Sequence, residues 1–448
     1  MELLRSIKGG DIILSYLDLC GFNSDDFVES ELEILPTDDG YLIEATQKKA
    51  NFCPLCGSTN VYVHDHHRRV TNIKHSHDSI IHLVINMTRC RCNDCFSSFT
   101  PKLQGIEKYS KISNFARSKI IESCKKVISF KAIAEENLTT RMRVIQIFDE
   151  TFPYVEALPL PEVMCLDEIR FFTDYETKYI LIITNFLTGE IVDILPSRKM
   201  DVMKEYFSSR YSQLKNVKYL VTDMYEGFNT LHQSFFRNIP HIIDLFHVIE
   251  DLSRAVNKIR TEVMKKELDG SGAKSFMKSH WKLFLARFRE IPNEVLYKKY
   301  CNEKTNIEKD YYSWMQECLN LDRRFYTAYR CLQEMYDYSK FSTYEEGENH
   351  LNRVIGLLES TFDDELLKVA ETYRKNFVGI VNCLDKKTKP YRFTTGIAEN
   401  VNNHIRTIIK VCYGCTNFER FRKRILLISR FKKMDRKPGA KVYKRHYF

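Results

Sequence analysis

Hydrophobic positions along the chain change period several times, and each change marks an element. Residues 2–20 read as a helix, while 32–35 and 41–45 read as strands joined by the turn Pro36-Thr37-Asp38-Asp39-Gly40. Residues 51–100 hold short alternating stretches such as Ile80-Ile81-His82-Leu83-Val84-Ile85, closed by Pro101. From 112 to 150 the period turns helical, with Ile112, Phe115, Ala116, Ile120 and Ile121 followed by a second apolar set from 127 to 148. Past Pro159 and Pro161, strands are predicted at 163–172, 178–187 and 190–195. A helix at 199–211, a strand at 217–222, a short helix at 228–236 and a strand at 241–245 follow. That succession is a mixed sheet with helices. Residues 247–389 are helical almost throughout, interrupted by Gly270-Ser271-Gly272 and Pro292, and a final helix starts near 395 before a Lys-rich tail containing Pro438-Gly439.

The 448 residues and 44% hydrophobic content suit a globular chain of several domains. No stretch approaches the roughly 20 apolar residues that span a bilayer, and Glu2, Arg5, Lys8 and Asp11 stand where a signal peptide needs an apolar core. The expectation is a cytoplasmic protein with no membrane partner. Charge is polarised: residues 1–50 hold 4 Lys/Arg against 11 Asp/Glu, whereas 401–448 hold 14 against 2. The basic end is a candidate polyanion-binding face, with a solvated tail as the alternative.

Of the 14 cysteines, Cys53, Cys56, Cys90, Cys92 and Cys95 form one tight group. Cys53-Pro-Leu-Cys56 and Cys92-Asn-Asp-Cys95 are two C-x2-C knuckles, able to set four thiolates at the corners of a tetrahedron around one structural Zn²⁺. Buried free thiols are the alternative. Cys90 is then a spare thiol, six histidines between His64 and His82 take exposed strand positions, and the pair Cys412/Cys415 lacks a partner pair.

Residues 130–148 have helix-turn-helix spacing, with Ala134 at the crossing, Thr139 or Thr140 as N-cap, and Val144, Ile147 and Phe148 facing inward. Arg141, Arg143 and Gln146 then face outward, where they suit a major groove. The turn has Asn137-Leu138 in place of the usual glycine, and an ordinary helical hairpin is the alternative.

Asp167 and Asp223 each end an apolar strand run, and Glu399 lies in the last predicted helix. Three carboxylates so arranged can hold two Mg²⁺ (or Mn²⁺), hard cations that take oxygen ligands and clamp the attacking and leaving oxygens of a phosphoryl displacement. Glu399, Asn403, Arg406 and Lys410 share one helix face, opposite an apolar stripe of Val401, Ile405, Ile408 and Cys412. The alternative for Glu399 is simple complementation of a helix N-terminus.

These landmarks, together with Asp167-Glu168 and Tyr179, Thr222-Asp223-Met224-Tyr225, Asp244-Leu-Phe-His247, Glu399-Asn-Val-Asn402, Tyr413-Gly414 and the run from Phe418 through Arg422 and Arg424 to Leu426, resemble the ISL-three group of bacterial insertion-sequence transposases. The resemblance implies a multidomain α/β plus α chain: a ribonuclease H-like mixed sheet of the Asp-Asp-Glu type with a helical insertion, preceded by a zinc ribbon-like module and a helix-turn-helix. The implied domains are an N-terminal helix and hairpin (1–50), the zinc module (51–100), the helix-turn-helix (101–155), the catalytic domain (156–250 and 391–430), the insertion (251–390) and a basic tail (431–448). Asp244 and His247 are implied to support the site, with a structural role as the alternative, and Arg422 and Arg424 to join the DNA-binding residues. Asn400 departs from the group's usual glycine. Also implied are binding to double-stranded DNA at terminal inverted repeats and target, metal-dependent cleavage and strand transfer, homo-oligomers on DNA, and a place on the nucleoid. Two other readings stay open: a DNA-binding regulator on an inactive scaffold, and a nuclease that cuts without joining.

Overall fold

The computed structural model describes residues 17–18, 20–76, 79–108, 110–171, 178–302, 306–341, 343–383, 396–412 and 417–434, the side chains of 72, 74–76, 79, 339, 396–399 and 432–434 excepted. Most of the expected N-terminal helix, the His75 side chain, His77, Cys415 and the tail beyond 434 lie outside the described residues. Two compact units emerge: residues 1–155 with 406–415 and 419–448, and residues 156–405 with 416–418. Among the described residues no helix is long and apolar enough to cross a membrane.

In the first unit, β1 (Glu33–Thr37) and β2 (Gly40–Thr46) form the expected hairpin. Residues 61–92 differ from the expected short strands, forming instead a long antiparallel pair, β3 (Val61–Ser76) and β4 (Ser79–Cys92). β2 pairs with β4 in parallel, giving the order β1-β2-β4-β3, and the short β5 (Ser98–Phe99) also pairs with β4. The sheet therefore runs across the division expected at residues 50 and 51. The cause is alternation: Ile43 and Ala45 on β2 share one buried face with Ile81, Leu83, Ile85 and Met87 on β4, and Phe22, Phe27, Leu103 and Ile106 pack into the same core.

Three short helices follow: α1 (Asn114–Ser123), α2 (Phe130–Glu136) and α3 (Arg141–Thr151), capped by Ser113, Ser129 and Thr140. Ala134, Val144, Ile147 and Phe148 are buried, the stripe expected at i, i+3 and i+4 spacing. Where a glycine is usual in the α2–α3 turn, Leu138 itself adopts a left-handed φ of 50°. A side chain there is strained, and Leu138 keeps 36% of its surface exposed. Leu138→Gly is expected to stabilise the pair by about 0.5–1 kcal/mol. Hydrogen exchange of the α2 and α3 amides should slow by roughly two- to fivefold; unchanged or faster exchange would refute the strain.

The second unit holds a five-stranded sheet of order β10-β9-β6-β7-β8, built from β6 (Val163–Arg170), β7 (Tyr179–Asn185), β8 (Ile191–Leu195), β9 (Tyr219–Thr222) and β10 (His241–Ile243). β6, β7 and β8 are antiparallel neighbours, while β9 and β10 continue the sheet in parallel from β6. Both faces are covered. Met164, Leu166, Leu181 and Ile183 pack toward Phe207 of α4 (Met200–Ser209) and Phe228 of α5 (Glu226–Leu231), and Val163, Cys165, Val221 and Ile242 pack on the other side.

A largely helical insertion follows β10. It begins with α6 (Leu245–Lys266) and α7 (Gly272–Ser279) and continues through α8 (Asn293–Leu296) to α9 (Tyr311–Asn320) and α10 (Arg323–Asp337). It closes with α11 (Tyr344–Glu359), α12 (Asp364–Lys375) and α13 (Phe377–Asn382). These helices bury their own core around Trp314, Phe325, Leu332, Leu351 and Tyr373. Within it β11 (Lys299–Asn302) and β12 (Ile307–Asp310) form a small hairpin that helical periodicity does not predict. α13 returns to the sheet: a Cβ on Gly379 would stand 2.6 Å from Ile243 Cγ1, and Asn382 Nδ2 donates to the His241 carbonyl at 2.9 Å. α14 (Gly396–Val411) and α15 (Phe418–Met434) are the last elements among the described residues.

Candidate functional site

Parallel pairing sets Cys165 opposite Val221, so two residues further on Asp167 and Asp223 leave neighbouring strands side by side. Ile243 pairs with Thr222, which brings Asp244 to the next place in the row. Three carboxylates thus gather where β9 and β10 end, on strands about 4.8 Å apart. Side-chain oxygens are held from below: Asp167 Oδ1 accepts from Glu168 N at 2.7 Å, Asp223 Oδ1 from Tyr225 N at 2.9 Å, and Asp244, the N-cap of α6, from Phe246 N at 3.1 Å. Asp167 Oδ2 also accepts from Asn402 Nδ2 of α14. Glu399 lies on that helix one turn before Asn402, and its side chain lies outside the described residues.

Burial raises the Asp223 carboxyl above its usual range, against the opposing pull of the Tyr225 amide. Burial likewise lifts Asp244 to about 6, opposed by the Phe246 amide and the His247 charge. His247 stands 3.7 Å from Glu250. Among the described residues Asp167, Asp223 and Asp244 form no ion pair. A row of oxygen donors that no ion pair occupies suits a hard metal ion.

Beneath the row, Thr222 Oγ1 donates to the Asp223 carbonyl at 2.7 Å and so accepts from His241 Nε2 at 2.8 Å. His241 stacks on His232 at 4.9 Å, and burial followed by the His232 charge holds it down at about 3. The unfolded chain therefore binds a proton that the folded chain refuses between pH 6.5 and 3, and stability falls as pH drops through that window. Relative to His241→Asn, the wild type should lose about 2–3 kcal/mol more between pH 7.5 and 4.5. Tryptophan fluorescence reads this directly, since Trp281 and Trp314 both lie in this unit; parallel losses in the two proteins would refute it.

In the first unit, the Sγ atoms of Cys53, Cys56, Cys92 and Cys95 all lie within 4.8 Å of one another, with Cys53–Cys95 and Cys56–Cys92 each at 3.6 Å. A tetrahedron of sulfurs about 2.3 Å from a metal has edges of about 3.8 Å, so the four donors fit one ion. Each knuckle folds alike. Gly57 N donates to Cys53 O at 2.9 Å and Cys53 N to Ser58 O at 2.7 Å, matched by Cys92 N to Ser97 O at 3.0 Å. The residue after each second cysteine turns left-handed, Gly57 at φ 75° and Phe96 at φ 58°. The Ser97 hydroxyl, 3.4 Å from Cys53 Sγ, lowers that thiol to about 6. Cys90 is buried beside the cluster and is not one of the four.

A transposase family profile of the DDE, ISL-three type matches residues 164–425, more than half of the chain. The chain belongs to the ISL-three transposase family. Its general activity is accordingly DNA transposition. Among solved structures it is similar to the Drosophila P element transposase strand transfer complex, at 12% identity and a TM-score of 0.36, over 74% of this chain and 94% of that one. No curated protein matches it.

In this transposase Arg141 and Gln146 are exposed on α3, and Arg143 donates to Gln146 Oε1 at 2.8 Å. Asn403, Arg406 and Lys410 are exposed on α14, while Val401, Ile405 and Ile408 are buried and Cys412 is half-buried. Arg422 and Arg424 correct the sequence expectation: they are 8% and 1% exposed, too enclosed to reach a duplex. Arg422 donates to the Val155 carbonyl at 3.0 Å, and Arg424 lies over the Phe130 ring and donates to the Lys126 and Ile128 carbonyls. Both tie α15 to loops of the first unit whose carbonyls need donors.

Sequence reasoning assigned no role to Asn402 or to Arg198. Arg198 follows β8 and pairs with Glu168, next to Asp167. The nearest signal was the basic pair Arg198-Lys199 directly after a strand and Pro196.

Proposed function

We propose that this transposase binds the terminal inverted repeats of its insertion sequence and catalyses metal-dependent DNA cleavage and strand transfer through Asp167, Asp223 and Glu399. The observation that carries this reading is the row of carboxylates on neighbouring strands, none of them in an ion pair among the described residues. Three antiparallel strands continued by two parallel ones support a ribonuclease H-like catalytic fold.

Asp167, Asp223 and Glu399 would hold two Mg²⁺ (or Mn²⁺), with Asp244 and His247 in support. Bound there, the ions would polarise the phosphate and lower the pKa of attacking water or a 3′-hydroxyl. Asn402 and the Glu168 amide fix the orientation of the Asp167 carboxylate, and the Tyr225 amide fixes Asp223. Neither acid must reorganise when a strand arrives.

The four cysteines would hold one structural Zn²⁺. The α2–α3 pair would act as a helix-turn-helix presenting Arg141, Arg143 and Gln146 to the repeat, while Asn403, Arg406 and Lys410 meet phosphates of the end or target DNA. Synapsis of two ends calls for a homo-oligomer, and the DNA substrate for a place on the nucleoid in the cytoplasm. The test is incubation of purified protein with labelled duplex carrying the element's ends, with Mg²⁺ or with chelator, and Asp223→Asn in parallel. Cleaved and joined products that need both the metal and Asp223 are expected; specific binding without chemistry in any arm would overturn the reading.

A further inference from the structure

At the rim of the carboxylate row one cation is held more tightly than an ion pair requires. Arg198 pairs with Glu168, and its guanidinium carbon lies 4.5 Å from the centre of the Tyr179 ring and 4.1 Å from that of Tyr225. Three elements supply this clamp: β6 gives Glu168, the start of β7 gives Tyr179, and the segment after β9 gives Tyr225. A fourth residue keeps it open. A Cβ on Gly227 would stand 2.3 Å from Tyr225 Cε1, so only glycine lets that ring take its place.

The clamp adjoins the reacting centre. Glu168 follows Asp167 directly, and its carboxyl is raised by burial and by the Asp223 charge, against the pull of Arg198. Glu168 takes one guanidinium nitrogen, yet the group carries five N–H donors in a rigid plane. The side chain stays 28% exposed, so it is not sealed from solvent. An arginine costs much conformational entropy to immobilise, and stacking between two rings removes that cost before a ligand arrives. A planar donor fork beside carboxylates that would repel DNA fits one ligand group, a phosphodiester.

We propose that Arg198, stacked between Tyr179 and Tyr225 and aimed by Glu168, binds a phosphate flanking the scissile one and so lays the strand across Asp167 and Asp223. The proposal rests on the carboxylate reading above. Glu168, Tyr179, Tyr225 and Gly227 are positioning residues, acting through Arg198.

The test uses the full-length protein and duplexes carrying the element's terminal repeat, with a neutral methylphosphonate placed at one non-scissile linkage at a time around the cleavage point. On natural DNA, Arg198→Gln should slow cleavage roughly 10- to 100-fold. At one linkage the methylphosphonate should slow the wild type comparably, and there the gap between wild type and variant should close to within about threefold. Gly227→Ala, which displaces Tyr225, should move rates in the same direction by a smaller factor. Should Arg198→Gln lose its native tryptophan fluorescence, Arg198→Lys keeps a charge for Glu168 and carries the same linkage scan. A rate within about threefold of wild type on natural DNA, or a gap that persists at every linkage, overturns the proposal. Asp223→Asn separates the two readings. If it retains activity, the carboxylate assignment fails; if it is inactive while Arg198→Gln is not, only the phosphate clamp fails.

Discussion

Asp223→Asn is expected to reduce both cleavage and joining by roughly 10³-fold, about 4 kcal/mol of transition-state stabilisation. The amide matches the carboxylate in size, and its oxygen can still accept from the Tyr225 amide, so the fold beneath β9 is preserved. What is lost is one negative charge from a row of three. Because the cysteine module and the α2–α3 pair lie in the other unit, affinity for the terminal repeat should change less than about threefold. A quench assay resolving cut from joined products reads both steps. Retention of more than about a tenth of wild-type rate in either step would remove Asp223 from the mechanism.

The second large effect concerns the knuckles. Cys92→Ser is expected to abolish metal binding and unfold the segment around residues 53–60 and 92–97. A structural zinc site contributes on the order of 10 kcal/mol, comparable to the entire stability of a small domain. The core there is small, with Val61, Cys53, Cys90 and Cys92 buried and Ala50 and Phe99 packed against them, and the remaining links between the knuckles are a few exposed hydrogen bonds such as those of Asn60 with Asn93 and Asp94. Metal analysis should find one zinc per wild-type chain and none in the variant, with amide exchange in both knuckles rising to unprotected rates. Cys90→Ser, two residues away on β4, should keep its metal. A metal-free Cys92→Ser protein with native exchange would contradict the assignment.

Much of the fold was legible because alternation and helical period reflect one-sided burial. The strands bearing Asp167 and Asp223 lie where apolar runs end, and the α2–α3 stripe falls on the expected residues. Three features were not legible. The β11–β12 hairpin has too few apolar residues to alternate, with Lys299 and Lys309 among its members and Asn306 at a left-handed φ of 54° just before β12. α15 is buried nearly all round from Phe421 to Ile428, arginines included, so its basic composition misrepresents its surface. The setting of Arg198 arises from contacts with residues 168, 179 and 225, which no local pattern joins.

The return of α13 to the sheet has a consequence for what can be cut away. β10 is the outer strand, and a bare outer strand is a template onto which any other chain can add. Asn382 takes up one of its carbonyls, and the missing side chain at Gly379 lets the helix lie close against Ile243. The insertion is thus also a solubility device: shortening it to a loop would leave an adhesive rim one residue from Asp244 and turn a DNA-processing enzyme into a seed for self-association.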